Sequence, residues 1–139
     1  MVRIRKAGLQ DSTAVFLLAH AFATSFAVEK AAFVCAFDEI ISHPDSLLAV
    51  VEVEGEVAGY LLGFDHPSFF ANGHVAWVEE IMVSETFRRQ GIGRKLMEAF
   101  ELWAIEKEVK IVALATRRAA DFYGALGYEE SAAYFRKQL

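Results

Sequence analysis

Arg88, Arg89, Gln90, Gly91, Ile92, Gly93, Arg94 and Lys95 follow one another in a stretch that holds four cations, two glycines and no acid. Such a stretch suits an anion. Glycines remove the side chains that keep a backbone from wrapping a phosphate, the N–H groups at a helix start point outward unpaired, and arginines add charge-assisted hydrogen bonds. Two better-known phosphate loops do not fit: GxxxxGK[ST] is absent, and GxGxxG fails because Leu96 stands at its third glycine position. A lone GxG also reads as a plain helix start whose glycines serve only the turn. Just upstream, Glu79 and Glu80 interrupt the apolar run of residues 74–83. Neighbours on a regular strand point to opposite faces, so only one of these acids is expected to face a cleft.

Periodicity and breakers predict the elements that must position these residues. Val2 and Ile4 begin a short strand that Gly8 ends, and Asp11 or Ser12 caps a helix through about Ala21, with Val15, Leu18, Ala19 and Phe22 on one face. Phe33, Ala36, Phe37, Ile40 and Ile41 predict a second helix, stopped by His43-Pro44 because proline disfavours helical geometry in its predecessor. Residues 46–53 and 57–64 read as strands flanking a turn at Glu54-Gly55-Glu56, residues 65–73 as a loop, and 74–83 as a third long strand. Ile92, Leu96, Phe100, Trp103 and Ala104 recur at helical spacing; 111–115 reads as a short buried strand; Ala119, Phe122, Tyr123 and Leu126 form another helical stripe ending at Gly127. A last strand is expected near 128–137. The strand–helix–strand unit over 74–115 needs a crossover, so its two strands are expected to be parallel. The predicted class is α/β: one domain over residues 1–139, with a mixed central sheet and helices on both faces.

The 139 residues, 55% hydrophobic and 24% charged with 2 prolines, suffice for one well-filled core and exclude a disordered chain or a collagen. Net charge is −5, and outside the basic stretch ten basic residues face nineteen acids, which favours a local anion site over a long polyanion such as nucleic acid. The single Cys35 cannot form an internal disulfide, so the expected compartment is a reducing cytoplasm. The basic start followed by residues 14–23 faintly resembles a signal peptide, with Ala21-Phe22-Ala23 as its cleavage site, but residues 10–13 interrupt it and a structural helix explains the pattern better. Glu29 and Lys30 end the longest apolar candidate, so no membrane span is expected. His20, His43, His66 and His74 lack metal-ligand spacing, and no metal is expected. His66 and His74 bracket a loop that could line a cleft. Cys35 is expected to be a small buried hydrophobe, while Phe22, Phe26, Phe69 and Phe70 read either as core or as walls of a binding pocket.

The order Ile81-Met82-Val83, Arg88-x-x-Gly91-x-Gly93, helix, strand, then Ala119-Ala120-Asp121-Phe122-Tyr123-Gly124-Ala125-Leu126-Gly127-Tyr128 resembles the GNAT superfamily of acyl-CoA-dependent N-acetyltransferases. The resemblance covers essentially the whole chain, including the two N-terminal helices and the Glu54-Gly55-Glu56 hairpin. It implies acetyl-CoA as acetyl donor. It further implies that Ile81, Met82 and Val83 pair through their backbone with the pantetheine arm, and that Arg88, Arg89, Gln90, Gly91, Ile92, Gly93 and Arg94 surround the pyrophosphate. One departure stands out: many members carry a cofactor-touching asparagine after the fifth strand, where this chain has Thr116-Arg117-Arg118.

Acetyl transfer to an amine needs a base for the nucleophile and a proton for the departing thiolate. Tyr123 is the best donor, since a phenol with a pKa near ~10 keeps its proton at neutral pH, and it falls where similar acetyltransferases place a general acid. The alternative is core packing beside Phe122 and Leu126. Glu79 occupies the position where similar enzymes often have a base or an amine-binding group and is preferred to Glu80; the alternative is a strand-edge acid in a salt bridge. The expected function is an N-acetyltransferase acting on a primary amine of an unidentified small-molecule or peptide acceptor by direct attack in a ternary complex, with room for a homodimer. Cys35 does not suggest a covalent acetyl carrier. The competing reading is a non-catalytic acyl-CoA-binding regulatory module, in which the cradle works and Tyr123 and Glu79 are only structural.

Overall fold

The computed structural model describes residues 1–23 and 26–139. Five strands form one sheet in chain order: β1 (Val2–Lys6), β2 (Ser46–Val53), β3 (Glu56–Ser68), β4 (Gly73–Val83) and β5 (Ile111–Leu114). The first four are antiparallel and β5 joins β4 in parallel, as the crossover requires. Helices α1 (Ser12–Phe22) and α2 (Lys30–Ser42) pack on one face; α3 (Ile92–Glu106) and α4 (Ala120–Ala125) pack on the other. The result is the mixed α/β sheet with helices on both faces that the periodicity predicts.

Two cores hold the layers together. On the α3 face Leu96, Met97 and Phe100 are fully buried against Val51 and Leu61 of the sheet. On the other face Val15, Ala19 and Phe37 close over Val50, Tyr60 and Leu62. Fully burying one such large apolar side chain contributes about 1.5–3 kcal/mol. The two stripes spaced three and four residues apart therefore fix which way each helix faces, and α2 ends at Ser42 because His43 is extended ahead of Pro44.

Three expectations need correction. Strand β3 continues through residues 65–68, because His66 pairs with Val75 and Pro67 with His74, and the predicted loop shrinks to residues 69–72. Asp65 tolerates this burial because His74 Nδ1 lies 2.5 Å and Lys107 Nζ 3.7 Å from its carboxylate, partners that arrive only with the fold. Residues 128–139 form no strand: Tyr134 is 62% and Phe135 89% exposed, so neither face of this segment is buried as a sheet strand requires. Cys35 is exposed, because two positions along a helix is about 200° of rotation, which turns it away from both Phe33 and Phe37.

Strands β4 and β5 pair only from Val75↔Ile111 to Val78↔Leu114. Beyond that point β5 has ended, and residues 79–83 of β4 keep β3 as their sole strand neighbour among the described residues. The β3–β4 register also breaks: Leu62 faces Glu80 and Gly63 faces Val78, so Glu79 has no partner in β3. This is a bulge, and it ends strict alternation at the point where the strands part.

Candidate active site

The open edge of β4 carries Ile81, Met82 and Val83, which are bonded to Leu61, Tyr60 and Gly59 on the β3 side. Their other side faces the gap that β5 leaves. An extended chain with donors and acceptors of its own can pair there as an added strand, without displacing any protein element. Ile81 and Val83 turn their side chains to the α3 face and Met82 to the α1–α2 face, so the edge is braced from both sides.

This edge leads into the glycine turn. Gly91 caps α3 in the left-handed region at φ 75°, and Arg89 shares a positive φ of 66°. The first bond into the helix is Lys95 N–H to the Gly91 carbonyl at 3.1 Å, which leaves the N–H groups of Ile92, Gly93 and Arg94 without a helical acceptor. The Ile92 side chain is buried in the core and pins the turn, while a side chain built at Gly91 would meet no atom within 4 Å. The space before the helix is therefore open, lined by outward N–H groups and the positive end of the helix dipole.

Arg89, Gln90 and Arg94 are exposed, and Arg89, Arg94, Lys95, Arg117 and Arg118 have no ion-pair partner among the described residues. Arg88 differs. Its Nε donates to the Val83 carbonyl at 3.1 Å, and a terminal nitrogen sits 4.0 Å from the Met82 sulfur, so its guanidinium folds back over the end of β4. Thr116 closes the turn ahead of α4, its hydroxyl accepting the Ala119 N–H at 3.1 Å, a local role at the position where the family asparagine would stand. Removing Arg89 as Arg89→Ala is expected to weaken acetyl-CoA binding roughly fivefold at low salt and less at high salt, because an exposed phosphate contact is screened. Arg88→Ala should lose affinity in a less salt-sensitive way, since it also frees the Val83 carbonyl. Calorimetric titration at two ionic strengths checks both; no change in either variant at low salt would assign these arginines to a solvated helix start.

Tyr123 is 7% exposed and packs edge-on against Phe122 and Tyr128 at 4.9 and 6.0 Å between ring centroids. Its hydroxyl has no hydrogen-bond partner among the described residues, and no fully buried side-chain polar atom there lacks one, so the hydroxyl reaches solvent. Burial raises its pKa above the ordinary phenol value. The ring is therefore part of the core, while the hydroxyl keeps its proton at neutral pH.

Glu79 is exposed, with no hydrogen-bond or ion-pair partner among the described residues. Glu80 lines a cavity of about 360 Å³ between α1, α2 and the sheet, where its Oε1 accepts the Tyr60 hydroxyl at 2.7 Å. Burial, then the Glu80 charge and that bond, push the Tyr60 pKa far upward, so Tyr60 remains a donor. Sequence reasoning singled out both acids and preferred Glu79 for its position ahead of the glycine turn; the bulge that sets their orientation leaves no mark in composition. It missed Tyr60 altogether; only the strand register, which sets Leu62 opposite Glu80 and Tyr60 opposite Met82, brings the phenol diagonally onto Glu80. His66 on β3, Phe69 and Phe70 in the following turn, and His74 on β4 lie at the far end of this hairpin, about 30 Å of strand from Val83, away from the glycine turn. Among the described residues no group of three His, Cys, Asp or Glu side chains is placed to hold a metal ion, and no helix is long and apolar enough to cross a membrane.

Residues 15–128 match the model of the acetyltransferase (GNAT) family. An N-alpha-acetyltransferase from Sulfurisphaera tokodaii is 32% identical over 108 residues, covering 68% of this chain and 63% of that protein, so the chain spans less than two thirds of that relative's length. Two crystal structures share the architecture nearly end to end. A transcriptional regulator from Bacillus halodurans C-125 is similar with a TM-score of 0.91, 25% identity and 100% of both chains covered. Glucosamine-6-phosphate N-acetyltransferase from Arabidopsis thaliana is similar with a TM-score of 0.87, 23% identity and 99% and 98% of the two chains covered. The splayed β4–β5 edge that runs into a glycine-capped helix is set in a sheet these proteins share, and the chain belongs to the GNAT family of acetyltransferases.

Proposed function

We propose that this chain moves an acetyl group from acetyl-CoA to a primary amine by direct attack within a ternary complex. The observation that carries the reading is the continuity of three features along β4: the glycine turn after Val83, the unpaired edge at Ile81 to Val83, and the carboxylate-bearing cavity at Glu80. Coenzyme A has a group for the first two. Its pyrophosphate suits the outward N–H groups of Ile92, Gly93 and Arg94, and its amide-bearing arm suits an open strand edge. Bound there, acetyl-CoA would supply a thioester, an acyl group activated toward nucleophiles.

The chain's own residues then manage protons and charge. Glu79, exposed and uncommitted, takes the proton of the attacking amine through water. As nitrogen bonds to the carbonyl carbon and the carbon–sulfur bond breaks, the Tyr123 hydroxyl donates its proton to the departing sulfur. The only cysteine, Cys35, is on the exposed side of α2 away from Phe37, which favours direct attack over an acetyl-enzyme. Initial rates measured over a grid of acetyl-CoA and amine concentrations test this: intersecting reciprocal lines are expected, and parallel lines would indicate a covalent acetyl-enzyme.

Glu79→Gln is expected to lower turnover most below neutral pH, where nearly all of the amine arrives protonated and removal of its proton limits the rate. A pH–rate profile of the variant parallel to that of the wild type would take the base role away from Glu79.

A further inference from the structure

The cavity over Glu80 has a consequence for the acceptor. Its volume of about 360 Å³ is at the small end of the roughly 300–1,000 Å³ range of small-molecule sites. Among its described lining residues only Glu29, Tyr60 and Glu80 carry polar side chains; Val15, Phe33, Phe37 and Leu62 are typical of the rest. Glu29 is exposed beside the first turn of α2, at the rim. Tyr60 has committed its hydroxyl to Glu80 Oε1, which fixes the half-buried carboxylate and leaves Oε2 to accept from a ligand, so that inside the rim Glu80 is the one acid lining this space among the described residues.

Resting on the acetyl-transfer reading, we propose that the acceptor is a small apolar primary amine, an arylalkyl or branched-alkyl ammonium, with its hydrocarbon body in this cavity and its cationic head on Glu80. Charge complementarity chooses the head: an ammonium entering an apolar site needs a partner there, and Glu80 is the carboxylate that lies inside. The walls choose the body. A polyamine or an aminoglycoside would carry several cations past aliphatic and aromatic side chains with one carboxylate inside and Glu29 at the rim to receive them, and each unpaired charge opposes binding. Glu80 also directly precedes Ile81 in β4, so an amine on its carboxylate sits beside the open edge where the thioester arm is proposed to lie. Tyr60 acts as a positioning residue, setting the Glu80 rotamer without needing to touch the amine.

The test uses phenylethylamine, spermidine and kanamycin as probes, each titrated by calorimetry into the protein saturated with coenzyme A and each assayed for thiol release from acetyl-CoA. Phenylethylamine is expected to bind tightest and to exceed both polycations in kcat/KM by roughly a hundredfold. Glu80→Gln keeps the shape and removes the charge, and should raise the phenylethylamine Kd about tenfold or more with the acetyl-CoA Kd unchanged. Ala36→Phe fills the cavity from an exposed position of α2, where it cannot disturb the core, and should weaken phenylethylamine while sparing methylamine. Tyr60→Phe should raise KM for the amine more than it lowers kcat, which a merely structural tyrosine would not do. Preference for spermidine or kanamycin would overturn the proposal and leave acetyl transfer standing, as would phenylethylamine binding untouched by both Glu80→Gln and Ala36→Phe. Phenylethylamine bound through Glu80 with no thiol released from any amine would uphold the binding site and overturn the transfer reading.

Discussion

Gly91→Val is expected to abolish most acetyl-CoA binding in a protein that still folds. Gly91 sits at φ 75°, and a Cβ at this position would meet nothing within 4 Å, so valine would project into the space before α3 that the pyrophosphate is proposed to fill. Displacing two charge-assisted backbone bonds, each worth about 1.5–3 kcal/mol, corresponds to roughly a hundredfold or greater loss of affinity. The fold has less at stake: a side chain in the left-handed region costs about 1–2 kcal/mol, against roughly 5–15 kcal/mol for a typical domain. Gly91→Ala helps separate the two effects, since it also places a side chain in the left-handed region but with less strain and a smaller obstruction, and should bind more tightly than the valine variant. Circular dichroism with calorimetric titration checks both. Unchanged affinity in a folded Gly91→Val protein would remove this turn from the cofactor site.

Tyr123→Phe should lower turnover roughly 10²-fold while acetyl-CoA affinity and thermal stability stay close to wild type. The ring packs against Phe122 and Tyr128 and phenylalanine retains those contacts; the hydroxyl, which has no partner among the described residues, is lost without leaving a buried orphan. Burial sets the sign of the pH effect. It raises the Tyr123 pKa above the ordinary phenol value, so the acid form persists through neutral pH and upward, and the wild-type rate should show no loss from this group over that range. The comparison is of kcat for the two proteins across pH with one cognate amine. Equal kcat throughout would leave Tyr123 as a packing residue.

Local chemistry made most of the fold legible. The stripe Ile92, Leu96, Phe100 and Ala104 faces the core of the observed α3, and His43-Pro44 ends α2 where proline geometry demands. The glycine turn was readable because its geometry, with Gly91 at φ 75°, depends on backbone freedom, which residue type announces directly. What escaped depends on pairing between distant segments. Asp65 marked the start of a loop by its polarity, but its fold-supplied partners His74 and Lys107 let the strand continue. A last strand was expected near 128–137, after the Gly127 cap, yet no strand of the sheet among the described residues pairs with that segment. The different surroundings of Glu79 and Glu80 rest on one unpaired residue in the β3–β4 ladder, and a bulge of that kind leaves no mark in a linear sequence.

The most direct measurement is amine-dependent release of free thiol from acetyl-CoA by the wild-type protein, with the acetylated amine quantified by mass spectrometry in the same reaction. The expected result is thiol and acetylated amine appearing in equal amounts, only when protein, acetyl-CoA and a primary amine are all present. Tight acetyl-CoA binding without amine-dependent thiol release, across apolar amines, polyamines, aminoglycosides and peptide N-termini, would contradict it and make the chain an acyl-CoA-binding module rather than an enzyme.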